Sequence, residues 1–120
     1  MKELKHDLLT SRYTNVYHEE PEDMKFNAPH HFRVLTAEKP ATVVCKVDFQ
    51  EGPIKENGVN GACNEDLIAM VISRLEHFQQ SEYACRENAL AITKFEEGLL
   101  WLRKRTMGRE QRGVEGTSTK

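Results

Sequence analysis

Two different spacings of apolar residues meet near residue 62. Before it, short runs rich in β-branched and aromatic side chains stand out: Tyr13–Tyr17, Phe32–Leu35 and Thr42–Phe49. The breakers Asn27-Ala-Pro29 and Glu38-Lys-Pro40 separate them, and all four prolines (21, 29, 40 and 53) fall in this part. Residues of this kind suit a pleated, half-covered surface, and proline interrupts its hydrogen bonding. The pattern predicts a small antiparallel sheet of two to four strands. Its clearest pair, near 31–36 and 42–49, forms a hairpin around Lys39-Pro40. So small a sheet needs cover from a helix or another chain.

After the glycine-punctuated turn Asn57-Gly-Val-Asn-Gly61 the period changes to that of a helix. Asn64 is placed to cap the first turn, with Glu65 and Asp66 at its positive end. Leu67, Val71, Leu75 and Phe78 recur at i, i+4, i+8 and i+11, with Ile68 and Ile72 beside them. A turn at Gln79–Glu82 leads to a second helix over about 83–109, with Ala89, Ile92, Phe95, Leu99 and Leu102 on one side. The expected fold is α+β: a β-rich part over 1–62, then an antiparallel helical hairpin and C-terminal loop over 63–120. Folded about residue 81, the second helix outruns the first by about ten residues, or ~15 Å. That overhang begins with Leu99-Leu-Trp-Leu102, apolar all round. An uncovered patch of this kind is adhesive. An obligate homo-oligomer is therefore expected, with other copies or the sheet covering the overhang.

Composition sharpens that expectation. Of 120 residues, 38% are hydrophobic and 30% charged, a lean supply for a private core in so short a chain. No run approaches ~18 apolar residues, so no membrane span is expected. Met1–Asp7 lacks the apolar stretch of a secretion signal. Cys45, Cys63 and Cys85 are odd in number with no C-x-x-C spacing, which disfavours a disulfide framework or zinc site. These features suggest a reduced, intracellular protein. The net charge of −2 argues against a general nucleic-acid binder, although a local basic patch is compatible with it.

Candidate chemistry is sparse. No phosphate loop, G-x-G-x-x-G, H-E-x-x-H or G-x-S-x-G is present. His30-His31 reads as polar loop residues rather than metal ligands. Glu96 and Glu97 point about 100° apart on a helix and cannot face each other as acid and base. Cys85 lacks an evident histidine base. No catalytic residue, metal site or cofactor is assigned.

The C-terminal segment differs. Arg103, Lys104, Arg105, Arg109 and Arg112 oppose Glu110 alone. Trp101, Arg105, Arg109 and Arg112 follow one another at spacings of four, four and three, on one helical stripe. Guanidinium forks match phosphate oxygens in pairs, and a nearby aromatic ring can stack a base. Gly113-Val-Glu-Gly-Thr117 then offers backbone amides to an anion, a hydroxyl at Thr117 and an acceptor at Glu115. The plainer alternatives are a solvated basic face at the helix C-terminus and a disordered tail.

Asn60–Leu67, Arg74-Leu-Glu-His-Phe-Gln79, Cys85-Arg-Glu-Asn-Ala89, Glu96–Leu102, Arg105-Thr106 and Arg112–Thr117 together resemble the helical hairpin shared by two phage anti-defence families. One is the first-described Thoeris anti-defence family; the other is the anti-CBASS sponge family. The resemblance spans roughly 58–117. The β-rich N-terminal part and Asp48–Glu56 favour the Thoeris type. It departs from the pattern at Gly98, where alanine is expected, a change that loosens the helix by ~1 kcal/mol.

The resemblance implies a sponge acting in the host bacterial cytoplasm. Such a protein sequesters a glycocyclic ADP-ribose isomer, and in relatives cyclic di- or trinucleotides, without cleaving it. It implies assembly from dimer to hexamer. By motif, Phe78 would stack on adenine and Asn88 would hydrogen-bond the ligand. Arg105 and Arg109, with Arg112 on the same stripe, would grip the pyrophosphate, and Val114, Glu115, Gly116 and Thr117 would close the pocket. Taken alone, Phe78 reads as core and Asn88 as a neutral surface residue; only the arginines are reached by both routes. Neither a membrane nor duplex nucleic acid is an expected partner. The competing classes are a cyclic-nucleotide-degrading enzyme and a small phage DNA-binding regulator.

Overall fold

The computed structural model describes residues 1–120 as two compact units, Met1–Ala62 and Cys63–Lys120. The first is an antiparallel meander of four strands in sequence order: β1 (Lys2–Leu4), β2 (Thr14–His18), β3 (His31–Thr36) and β4 (Val43–Asp48). In register, Val16 faces Val34, and Val34 faces Cys45. The β3–β4 hairpin around Lys39-Pro40 is as expected, with an irregularity between Val34 and Leu35. β1 is an addition. Its three residues, two of them charged, carry no alternating pattern, and pairing with Val16–His18 makes them a strand.

Polar groups organise this unit. His18 and His30 are its most buried residues, at 8% exposure each. The rings of His18, Phe32 and Phe49 pack edge to face. Each buried imidazole donates to a main-chain carbonyl, His18 Nδ1 to Glu19 O at 2.7 Å and His30 Nε2 to Lys25 O at 2.6 Å. Glu19 Oε1 accepts the amides of both His30 and His31. Burial alone would raise the Glu19 pKa, but those two amides outweigh it and hold the carboxyl below its usual value.

His31 is bonded at both nitrogens, Nδ1 to Asp48 Oδ1 at 2.8 Å and Nε2 to Glu51 Oε1 at 3.2 Å. A carboxylate only accepts, so the imidazolium alone satisfies both contacts. The Asp48 bond is the main cause of the raised His31 pKa; it likewise lowers that of Asp48, which Arg33 also contacts.

The segment after β4 is stitched back by side-chain amides. Gln50 donates to Gly58 O and accepts from Asn60 N, while Asn60 both accepts from Glu51 N and donates to Glu51 O. A short helix, α1 (Ile54–Asn57), lies inside this loop. A Cβ on Gly61 would fall 2.4 Å from Phe49 O, so the close pass of 61 over Phe49 requires glycine.

The second unit is the expected hairpin, α2 (Asn64–Gln79) and α3 (Arg86–Gln111). Two boundaries move. Asn64 is the first helical residue rather than the cap; Cys63 takes that position, and Asp66 Oδ2 reaches back to its amide at 2.9 Å. α3 begins at Arg86, not 83. Ser81 Oγ donates to Phe78 O and accepts Tyr83 N, and the Gln79 side chain brackets Cys85 at both N and O. These bonds lengthen the turn.

Ile72 is the only buried apolar residue, at 8% exposure. Leu67, Ile68, Leu75, Ile92, Leu99 and Leu102 are half-buried. Phe78 and Phe95, expected on the packed stripe, are exposed, as are Leu100 and Trp101. With 26 residues against 16, α3 is the longer helix by the margin expected.

Candidate functional site

The stripe Trp101, Arg105, Arg109, Arg112 lines one side of a cleft of about 380 Å³, completed by Lys104 and Gly108. Helical spacing brings these residues together: three and four residues apart means neighbouring turns of one face. The Lys104 ammonium stands 5.1 Å above the Trp101 ring. Arg103, the remaining cation of the run, lies off the cleft and pairs with Glu110 at 3.0 Å.

Gly113, at φ 72°, ends α3 and reverses the chain. Val114 N donates back to Arg109 O, and Thr117 closes a turn on Val114 O through both its amide and its hydroxyl. Carbonyls of this segment then converge on the arginines. Arg109 Nη2 lies 3.0 Å from Val114 O, 3.0 Å from Thr117 O and 2.8 Å from Thr119 O. Arg112 Nη1 donates to Lys120 O at 2.8 Å. The last residues are thus a folded flap fastened by Arg109 and Arg112. Arg105 is exposed and makes no bond within the chain, so its guanidinium fork is free. Glu115 and Gly116 sit half-buried in the flap.

The other residues named by motif lie at the opposite end of the hairpin. Phe78 is in the last turn of α2 and Asn88 in the first turn of α3. Asn88 is half-buried, on the helix face that also carries Ile92 and Leu99. Around Phe78 opens a second cleft, of about 450 Å³, lined also by Arg74, His77, Ser81 and Tyr83. The Arg74 guanidinium covers the Phe78 ring at 5.2 Å. This cleft as a cleft escaped sequence reasoning. Its signal was the spacing of Arg74, His77 and Phe78, which share a helix face, while Ser81 and Tyr83 arrive only through the turn. From Asn88 to Arg105 the helical rise amounts to about 25 Å. One copy therefore does not bring Phe78 and Asn88 together with Arg105 and Arg109.

Residues 41–107 match the family model described as the Acb2/Tad1 hairpin domain. The chain belongs to that family. The match runs from just before β4 into the last turns of α3, taking in Phe78, Asn88 and Arg105 but stopping before Arg109 and the flap. A curated relative extends the likeness over those as well: Thoeris anti-defense 1 of Bacillus phage SBSphiJ7 is 53% identical over an alignment 142 positions long, covering all of both chains. For this member of the Acb2/Tad1 hairpin family, the rejected chemical candidates are placed too. Rather than polar loop residues, His30 is buried and bonded to Lys25 O, and His31 opens β3 and is bonded to two carboxylates. Cys85 stands at the N-cap position of α3 with its thiol exposed and making no cap bond.

Proposed function

We propose that this protein is a phage anti-defence sponge, which binds a cyclic nucleotide immune messenger in the host cytoplasm and keeps it, uncleaved, from its effector. The messenger of first choice is a glycocyclic ADP-ribose isomer, with cyclic di- and trinucleotides as further ligands. The observation that carries this reading is the cleft on α3, where an aromatic ring and four cationic side chains face one space. These groups suit the ground state of a pyrophosphate: Arg105 offers a free fork, Arg112 keeps part of its own, and Arg109 shapes the flap that lies beside them. Tight ground-state binding is what a sponge needs, whereas a catalyst must favour the transition state. The 53% identical relative, named for anti-defence against Thoeris, supports the same role.

The separation of the two clefts supports a site shared between copies. A base stacked on Phe78 and a pyrophosphate held by Arg105 and Arg109 require two copies, the turn end of one hairpin against the arginine end of another. Copies also supply cover for Leu100 and Trp101. Dimer or hexamer, the site is complete only between protomers.

The test is recovery of ligand. Protein incubated with a panel of cyclic nucleotides, then heat-denatured, should release the bound compound intact on chromatography; a cleaved product would make the protein an enzyme. In the same assay Arg109→Ala should weaken binding by about 2–5 kcal/mol, the usual cost of removing one partner of a buried charge contact. Affinity within twofold of the unsubstituted protein would remove Arg109 from the site.

A further inference from the structure

The cleft at the turn end of the hairpin contains a directional group that the stacking ring alone does not explain. His77 lines it beside Phe78, and its Nδ1 lies 2.7 Å from Ser73 O, one helical turn back. A carbonyl oxygen accepts and cannot donate, so Nδ1 carries the proton of that bond. In the neutral ring Nε2 is then a lone-pair acceptor, and it has no partner in the chain. Other polar groups around the cleft are differently disposed. Ser81 Oγ is used twice, on Phe78 O and Tyr83 N. The Arg74 guanidinium lies on the Phe78 ring and, like all guanidinium, only donates. The Tyr83 hydroxyl both donates and accepts. Among the side chains lining the cleft, His77 Nε2 is the one unspent group that only accepts.

We propose that His77 reads the edge of the base stacked on Phe78, favouring bases that present an amine hydrogen, adenine first among them. The chemistry follows from the pairing of a π-face with a fixed acceptor. Stacking on Phe78 tolerates any base, since every base has a face. An acceptor at the ring's rim does not: an exocyclic amine satisfies it, whereas a base lacking that donor leaves both sides unpaired. The Ser73 bond fixes the tautomer and the ring plane, which makes the acceptor a selective one. At about 450 Å³ the cleft is within the range of small-molecule sites, roughly 300–1,000 Å³. His77 is exposed at the helix surface, so replacing it leaves the hairpin's packing in place.

This inference rests on the nucleotide-sponge reading, and the experiment separates the two. Calorimetric titrations compare glycocyclic ADP-ribose with its analogue carrying purine, without the 6-amino group, in place of adenine. The unsubstituted protein should prefer the adenine form by about tenfold. His77→Phe, which keeps an aromatic ring but no acceptor, should bring the ratio close to one. His77→Gln, which restores an acceptor, should recover most of it. A preference unchanged in His77→Phe overturns the assignment, as does an equal loss of both ligands, which would mark a structural role. Binding of neither compound by the unsubstituted protein would defeat the reading of glycocyclic ADP-ribose as the messenger and this inference with it.

Discussion

The two units of this chain are stabilised in different ways. The sheet unit buries two histidines and satisfies each with a carbonyl, then ties its loops with Glu19, Gln50 and Asn60. Its bonds are directional and internal, so its geometry is specified within one copy. The hairpin unit relies on apolar area, and much of that area is uncovered: Ile72 is buried, while Met70, Leu100 and Trp101 are more than 60% exposed. Burial has no direction, and a face left open accepts whatever apolar surface arrives. The lesson concerns where function sits. The unfinished unit carries the arginine cleft and the Phe78 cleft, one at each end.

The largest test of that contrast is to remove the open face. Leu100 and Trp101 are 71% and 63% exposed, and covering a large apolar side chain is worth roughly 1.5–3 kcal/mol. Replacing both by serine should shift the protein toward monomer in sedimentation velocity at micromolar concentration, with helix content retained by circular dichroism. An unchanged sedimentation coefficient would break the comparison, because the open face would then hold nothing together.

A smaller effect addresses the other unit. Glu19→Gln keeps a carbonyl oxygen for the His30 and His31 amides but removes its charge. Hydrogen bonds to charged groups exceed neutral ones by about 1 kcal/mol, so a loss of ~1–2 kcal/mol is expected. Amide exchange at His30 and His31 should quicken while α2 amides keep their rates. If α2 responds equally, the units are not independent in this respect.

The same contrast explains what could be read before the fold was known. The β3–β4 hairpin and α2 were legible because their apolar residues repeat at the period of the element. The arginine cleft was legible because three arginines and a tryptophan fall on one stripe. β1 was not: Lys2-Glu-Leu4 is a strand only by virtue of its partner. The N-cap shifted from Asn64 to Cys63 because Asp66, three residues on, supplies the capping oxygen in place of the cap residue. Helix periodicity assigned Phe78 to the core, yet it is 37% exposed, because α2 ends there and α3 starts only at Arg86. What stayed hidden was what the turn creates: the cleft that Tyr83 and Ser81 complete around Phe78.

The smallest expected effect is on pH, and it too should divide the units. His31 faces Asp48, Glu51 and, through its amide, Glu19, while Arg33 shares Asp48. Its folded pKa lies above the ordinary imidazole value of about 6.5. The stability it contributes is therefore complete below about pH 6.5 and lost as pH rises through the elevated value. Asp48 and Glu19 act in the opposite sense: their lowered pKa values contribute stability above the ordinary carboxylate range, lost as pH falls through them. The sheet unit should be most stable between these limits. Both His31 and Asp48 are more than a third exposed, so solvent screening limits the His31 contribution to a few tenths of a kcal/mol. Amide exchange along His31–Thr36, corrected for its intrinsic pH dependence, should reveal a loss of protection as the pH rises above about 6.5 that α3 does not share. His31→Gln should abolish that slope; its persistence would mean that another group titrates there and that the imidazolium bridge is not what ties β3 to Asp48 and Glu51.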